Sequence, residues 1–107
     1  MTQKEFEKIV EELDKLSKNE MLKKRPEYTL SDSDILANFK NTAERLGISE
    51  LKVFGTFLDK QVSSVFSHIS NANLPEAEKI ESRFADIINY SYLGLALFRE
   101  RKGKQKK

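Results

Sequence analysis

The 107-residue chain contains no cysteine, no tryptophan, one histidine, two prolines and four glycines. Without cysteine there is neither a disulfide framework nor a thiolate metal site. The single histidine, His68, leaves no multi-histidine zinc site within one chain. Gly47, Gly55, Gly94 and Gly103 stand alone, so no glycine-rich phosphate loop is present. There is no GxSxG elbow, no HExxH helix and no Cys/His nucleophile pair. Hydrolysis through a serine or a thiol therefore has no support. No apolar run approaches the roughly 20 residues of a membrane span. Acidic residues interrupt the N-terminal MTQKEFEKIV where a signal peptide would be apolar. The expectation is a soluble cytoplasmic protein with no membrane partner, either one compact domain or one protomer of an oligomer.

What is abundant is charge. Charged residues make up 34% and hydrophobic residues 38%, a polar balance that still supports a folded core. Net charge is +2, yet the segment Arg99 to Lys107, RERKGKQKK, carries six basic residues and one acidic. The rest of the chain is therefore slightly acidic. Such a basic tail either adds counterion-release affinity for nucleic acid or is a solvated, frayed terminus. No aromatic residue interleaves its lysines.

Apolar periodicity predicts an all-α fold, an antiparallel bundle of about four helices. Thr2 and Glu5 have capping-box spacing ahead of a first helix, 3–18, with Phe6, Ile9, Val10, Leu13 and Leu16 on one face. The pattern fades after Ser17-Lys18-Asn19, although Met21 and Leu22 could extend it, and Pro26 is expected to end any helix there. The stretch from Arg25 to Asp34 reads as a loop rich in capping residues. A second helix, 33–46, carries Ile35, Leu36, Phe39, Ala43 and Leu46, and Gly47 is its natural stop. Ser49 caps a third helix, 50–70, striped by Leu51, Phe54, Leu58, Val62, Val65 and Ile69. A fourth, 75–100, opens on Pro75, with Ile80, Phe84, Ile87, Ile88, Ser91, Leu95 and Phe98 sharing one side. From Tyr90 to Phe98 it is apolar nearly all round, which predicts burial on several sides, in a bundle centre or an oligomer interface. Residues 102–107 remain as a flexible basic tail. A domain this small has a thin core, and homo-oligomerisation would extend it.

Polar residues set among apolar ones are the candidates for chemistry. Glu78, Ser82 and Asp86 recur at four-residue spacing on the fourth helix, and Asn89 follows Asp86 by three. Asp86 and Asn89 sit inside the apolar run FADIINY, where a polar group needs a partner. They either join helices by hydrogen bonds or meet a ligand. Asp59 and Lys60 lie together on the third helix, and an aspartate from each helix could share Mg²⁺ with substrate phosphates or make surface pairs. Tyr28, Asn38 and Lys40 flank the entry to the second helix. A tyrosine stacks on a base or anchors a loop, and a lysine meets a phosphate.

The order of these motifs resembles a known group. Tyr28 is followed by Ser33-Asp34, then Leu36-Ala37-Asn38-Phe39-Lys40, then Leu46-Gly47-Ile48-Ser49. Leu58-Asp59-Lys60 and Glu81…Asp86-Ile87-Ile88-Asn89-Tyr90 come next. From about Tyr28 to Arg101 the chain resembles phage and prophage nucleotide modification-associated helical domains. These are related to the MazG-like all-α nucleoside triphosphate pyrophosphohydrolases. The resemblance implies a phage-encoded, usually oligomeric nucleotide-binding protein, in one version a Mg²⁺-dependent pyrophosphohydrolase. Carried over by position, Asn38, Asp59, Lys60, Glu81, Asp86, Asn89 and Tyr90 line the ligand site; Tyr28 and Lys40 join them from their place at the entry to the second helix, and Asp59, Glu81 and Asp86 are the metal candidates. No catalytic residue is assigned. The chain departs from the MazG-like pattern in lacking an E-E-x-x-E helix, since Glu11-Glu12 has no third glutamate at that spacing. Nucleotide binding without turnover accommodates the departure. A different class is a non-enzymatic phage accessory or counter-defence factor. It would sequester a signalling nucleotide, or bind a host protein or nucleic acid.

Overall fold

The computed structural model describes residues 1–28, 34–71 and 80–105, with side chains in 1–23, 34–71 and 80–103. Among them are four helices: α1 (Gln3–Tyr28), α2 (Ala37–Leu46), α3 (Glu50–Ser70) and α4 (Ile80–Gln105). The described residues contain no strand, as the periodicity requires.

Local chemistry explains most of the boundaries. The Thr2 hydroxyl accepts from the Glu5 amide at 3.1 Å, satisfying one of the free donors at the start of α1. Asp34 starts the turn into α2 by accepting from the Leu36 amide at 2.9 Å, and regular helix begins only at Ala37. Gly47 adopts φ 66°, a left-handed conformation that suits glycine, and closes α2. The Ser49 hydroxyl caps α3 through the Lys52 amide at 3.1 Å. The three residues 47–49 thus fold α2 back on α3 as a helical hairpin.

Two boundaries differ from the expectation. α1 does not end at 18 or break before Pro26 but continues to Tyr28. Ser17, read as the point of decay, is fully buried, and Met21 packs on the core. Tertiary contact together with the good helix formers Glu20, Met21, Leu22, Lys23 and Lys24 carries the helix past the weak stretch. At the other end α4 runs to Gln105, so 102–105 are helical rather than a flexible tail. Arg99 to Lys102 are good helix formers, and a single glycine is tolerated. Thr29 to Ser33 and the expected start of the fourth helix at Pro75 lie outside the described residues.

The core is small. Leu36, Phe39, Ala43, Val53, Leu93 and Leu97 form it, drawn from α2, α3 and α4. Phe39 is at its centre, edge-on to Phe54 at 6.2 Å and tilted against Phe57 at 5.8 Å between ring centroids. Tyr90 closes the aromatic group from α4. The tip of the Phe54 ring abuts α4 at Gly94, where a β-carbon would stand 2.4 Å from Cζ. α3 runs antiparallel to α4, because Gln61 meets Arg83 while Phe54 meets Gly94. α1 runs parallel to α4: Leu13 and Leu16 share a groove with Ile80 and Phe84, and Ser17 bonds Asn89.

The buried face of α4 is not the one its apolar stripe suggests. Ala85, Asp86, Asn89, Leu93 and Leu97 face inward, whereas Phe84, Leu95 and Phe98 are exposed. Phe6, Ile9 and Val10 of α1 are exposed as well. The body is elongated, 50 × 28 × 25 Å, with a radius of gyration of 16.2 Å against ~13 Å for a compact domain of this length.

Candidate functional site

Three helices bring polar side chains into one buried seam. From α4, the Arg83 guanidinium donates to Gln61 Oε1 of α3 at 3.0 Å and approaches Asp86 Oδ2 at 3.5 Å. One turn on, Asn89 Nδ2 donates to the Ser17 carbonyl of α1 at 3.0 Å. Asp86 and Asn89 are only 8% and 6% exposed, and Gln61 and Ser17 are also buried. The Ser17 hydroxyl turns back on its own helix, donating to the Asp14 carbonyl at 3.0 Å. Asn89 Oδ1 is buried and has no hydrogen-bond partner among the described residues. A buried acceptor left without a donor costs about 1–3 kcal/mol.

Helical geometry explains why these residues converge. Arg83, Asp86 and Asn89 lie three apart, so they follow one side of α4. Gln61 sits on the inner face of α3. Asp59, two residues earlier, is rotated some 200° away and is exposed.

The seam contains two of the nine expected ligand-site residues, Asp86 and Asn89. Tyr90 is half-buried beside them but belongs to the aromatic cluster with Phe54 and Phe57. Asp59 and Lys60 are exposed on α3. Glu81 is exposed at the rim of the α1–α4 groove. Asn38 is half-buried on α2. The Tyr28 side chain lies outside the described residues, as does Glu78. His68 is half-buried near the end of α3. Sequence reasoning missed Gln61, Arg83 and Ser17. Gln61, a polar residue beside Leu58 and Val62, carried the same signal that marked Asp86 and Asn89.

Lys40 has a separate role. Its ammonium donates to Asp34 Oδ2 and to Glu100 Oε1, the latter at 2.8 Å, tying the start of α2 to the last part of α4. The hydrogen bond to Asp34, then that to Glu100, raises its pKa well above the usual lysine value. Lys40 is therefore a clamp between helices, with its charge already matched.

Among the described residues no three carboxylate or histidine side chains come together to hold a metal. Asp59 and Glu81 are exposed, whereas Asp86 is buried and faces Arg83. The donor set does not fit a resident Mg²⁺ held by these three residues. No helix among the described residues is long and apolar enough to cross a membrane. Compared with protein-family models, with curated proteins and with solved structures, the chain has no match.

Proposed function

We propose that this chain is a small helical nucleotide-binding protein of MazG-like type, phage-encoded, whose ligand is held at the seam between α1, α3 and α4. The observation that carries the reading is the buried group of Gln61, Arg83, Asp86 and Asn89, with Asn89 Oδ1 left without a donor. Packing three helices does not require so many buried polar groups, and an unsatisfied one calls for a reason. An exocyclic amino group of a base is a donor of the kind Asn89 lacks. Arg83 is the residue type suited to phosphate. Ser17 closes over Asn89, so a ligand reaches it when α1 moves aside from α4. Mg²⁺ enters this proposal only together with the nucleotide's own phosphates.

A thermal-shift screen of nucleoside triphosphates, monophosphates and cyclic dinucleotides, with and without Mg²⁺, tests it. A ligand at a hundredfold excess over its dissociation constant stabilises the folded state by about 2.7 kcal/mol. The shift should disappear in Arg83→Met and Asn89→Leu while an exposed control, Lys8→Met, keeps it. Absence of any shift across the screen, or an equal shift in all three variants, contradicts the proposal.

A second reading is supported by the basic end of α4. Arg99, Arg101 and Lys102 are exposed and stand on regular helix. A non-enzymatic accessory or counter-defence protein would use that end against nucleic acid or an acidic partner. Removal of Gly103 to Lys107 should then weaken nucleic-acid binding and flatten its salt dependence. Binding that ignores both the truncation and salt would remove this reading.

A further inference from the structure

We propose that the outer face of α4 is the contact between two copies of this chain, crossing antiparallel at Ser91. A stripe on α4 is turned away from the chain's own core. Phe84, Ile88, Ser91, Leu95 and Phe98 fall on one side of α4 at helical spacing. Phe84, Leu95 and Phe98 are 44%, 52% and 57% exposed, and Ser91 is exposed between them. The opposite face of the same helix holds Ala85, Leu93 and Leu97 in the core. Over Phe84 to Phe98 the stripe is ~21 Å long at 1.5 Å per residue.

The pattern is symmetric about its middle. Phe84 and Phe98 each lie seven residues from Ser91, and Ile88 and Leu95 lie three and four residues from it. A two-fold interface requires that residue i meet j while j meets i. An antiparallel crossing at Ser91 satisfies this with like shapes, Phe84 against the partner's Phe98 and Ile88 against the partner's Leu95. Ser91 is small enough for close approach of the two backbones. Its hydroxyl donates to the Ile87 carbonyl at 2.8 Å, so its donor does not depend on water.

Charge selects the same orientation. The basic residues Arg99, Arg101 and Lys102 crowd one end of α4, and Glu81 lies at the other. A parallel pair would set the basic ends side by side. The antiparallel pair separates them and brings Glu81 near the partner's Lys102. Beside Phe84 opens the groove of about 290 Å³ lined by Ile9, Leu13, Leu16 and Ile80. The partner's Phe98 arrives there, and an aromatic anchor entering an apolar pocket is the usual source of interface energy.

Sedimentation equilibrium of the intact chain tests the assignment. The expected mass is twice 12.4 kDa, falling to 12.4 kDa for Leu95→Glu with helical content by circular dichroism unchanged. Because the protein has no cysteine, Ser91→Cys introduces its only thiol. Mild oxidation should convert that variant to a covalent dimer. A monomeric wild type at tens of micromolar overturns the proposal and leaves the face to another partner. So does a dimer that survives Leu95→Glu, or a Ser91→Cys variant that does not cross-link.

Discussion

The two faces of α4 are both apolar and have different fates. The inner face carries small and medium residues, Ala85, Leu93 and Leu97, and it interleaves them with Asp86 and Asn89. The outer face carries two phenylalanines, Phe84 and Phe98, with Leu95 between them, and is left open. Close packing explains the division. Gly94 admits the Phe54 ring against the backbone, and the ring leaves no room for a β-carbon. Bulky residues on that side would hold α3 away. At Gly94 the absence of a side chain therefore sets how closely α3 approaches α4.

The largest effect expected from this contrast is between two phenylalanines. Phe39→Ala, at the core centre, should cost about 3–5 kcal/mol of unfolding free energy. Phe98→Ala should cost under about 0.5 kcal/mol in chain dilute enough to be monomeric. Denaturant midpoints measure both, and comparable losses would break the distinction between the faces.

Smaller effects come from the polar residues of the same helix. Asn89→Ala removes the bond to Ser17 that joins α4 to α1, and should destabilise by about 1 kcal/mol. Ser91→Ala loses only a bond to its own helix, and its stability as a monomer should change by less than about 0.5 kcal/mol. Equal losses would mean that the seam does not hold α1 in place.

A further effect, of the same size as that of Asn89→Ala, depends on pH. Lys40→Met should cost about 1 kcal/mol near neutrality, by removing the link between α2 and α4. Its pKa is raised in the folded state, first by Asp34 and then by Glu100. The lysine's contribution is therefore fully present below the unfolded value of 10.5 and fades as pH rises through the higher folded value. The gap between wild type and variant should stay constant from pH 7 to about 9.5 and close above that range. A gap that closes below neutrality would assign the effect to other groups.

Much of this architecture was legible in the residues. The all-α class, the caps at Thr2 and Ser49, the stop at Gly47 and the span of α3 all follow from local chemistry, which acts within a turn of helix. The extension of α1 was not legible, because it depends on Ser17 and Met21 meeting α4 and the core across the fold. The orientation of α4 was hidden for another reason. A helix apolar all round has no preferred face for periodicity to detect. Of the expected ligand residues, Asp86 and Asn89 were recognisable as polar groups inside an apolar run. Asp59 and Glu81 were placed by resemblance and spacing, and they stand apart on exposed surfaces. Their separation depends on the rotation and register of whole helices, which a linear motif does not record.

In the proposed dimer the outer face of α4 pairs with itself in one antiparallel register. The most direct test mixes two single-cysteine variants, Phe84→Cys and Phe98→Cys, under mild oxidation and identifies the linked species by mass spectrometry. In that register the mixture should form the disulfide-linked heterodimer of Phe84→Cys with Phe98→Cys in preference to either homodimer. Homodimers formed as readily as the heterodimer, or no cross-link at all, would contradict it.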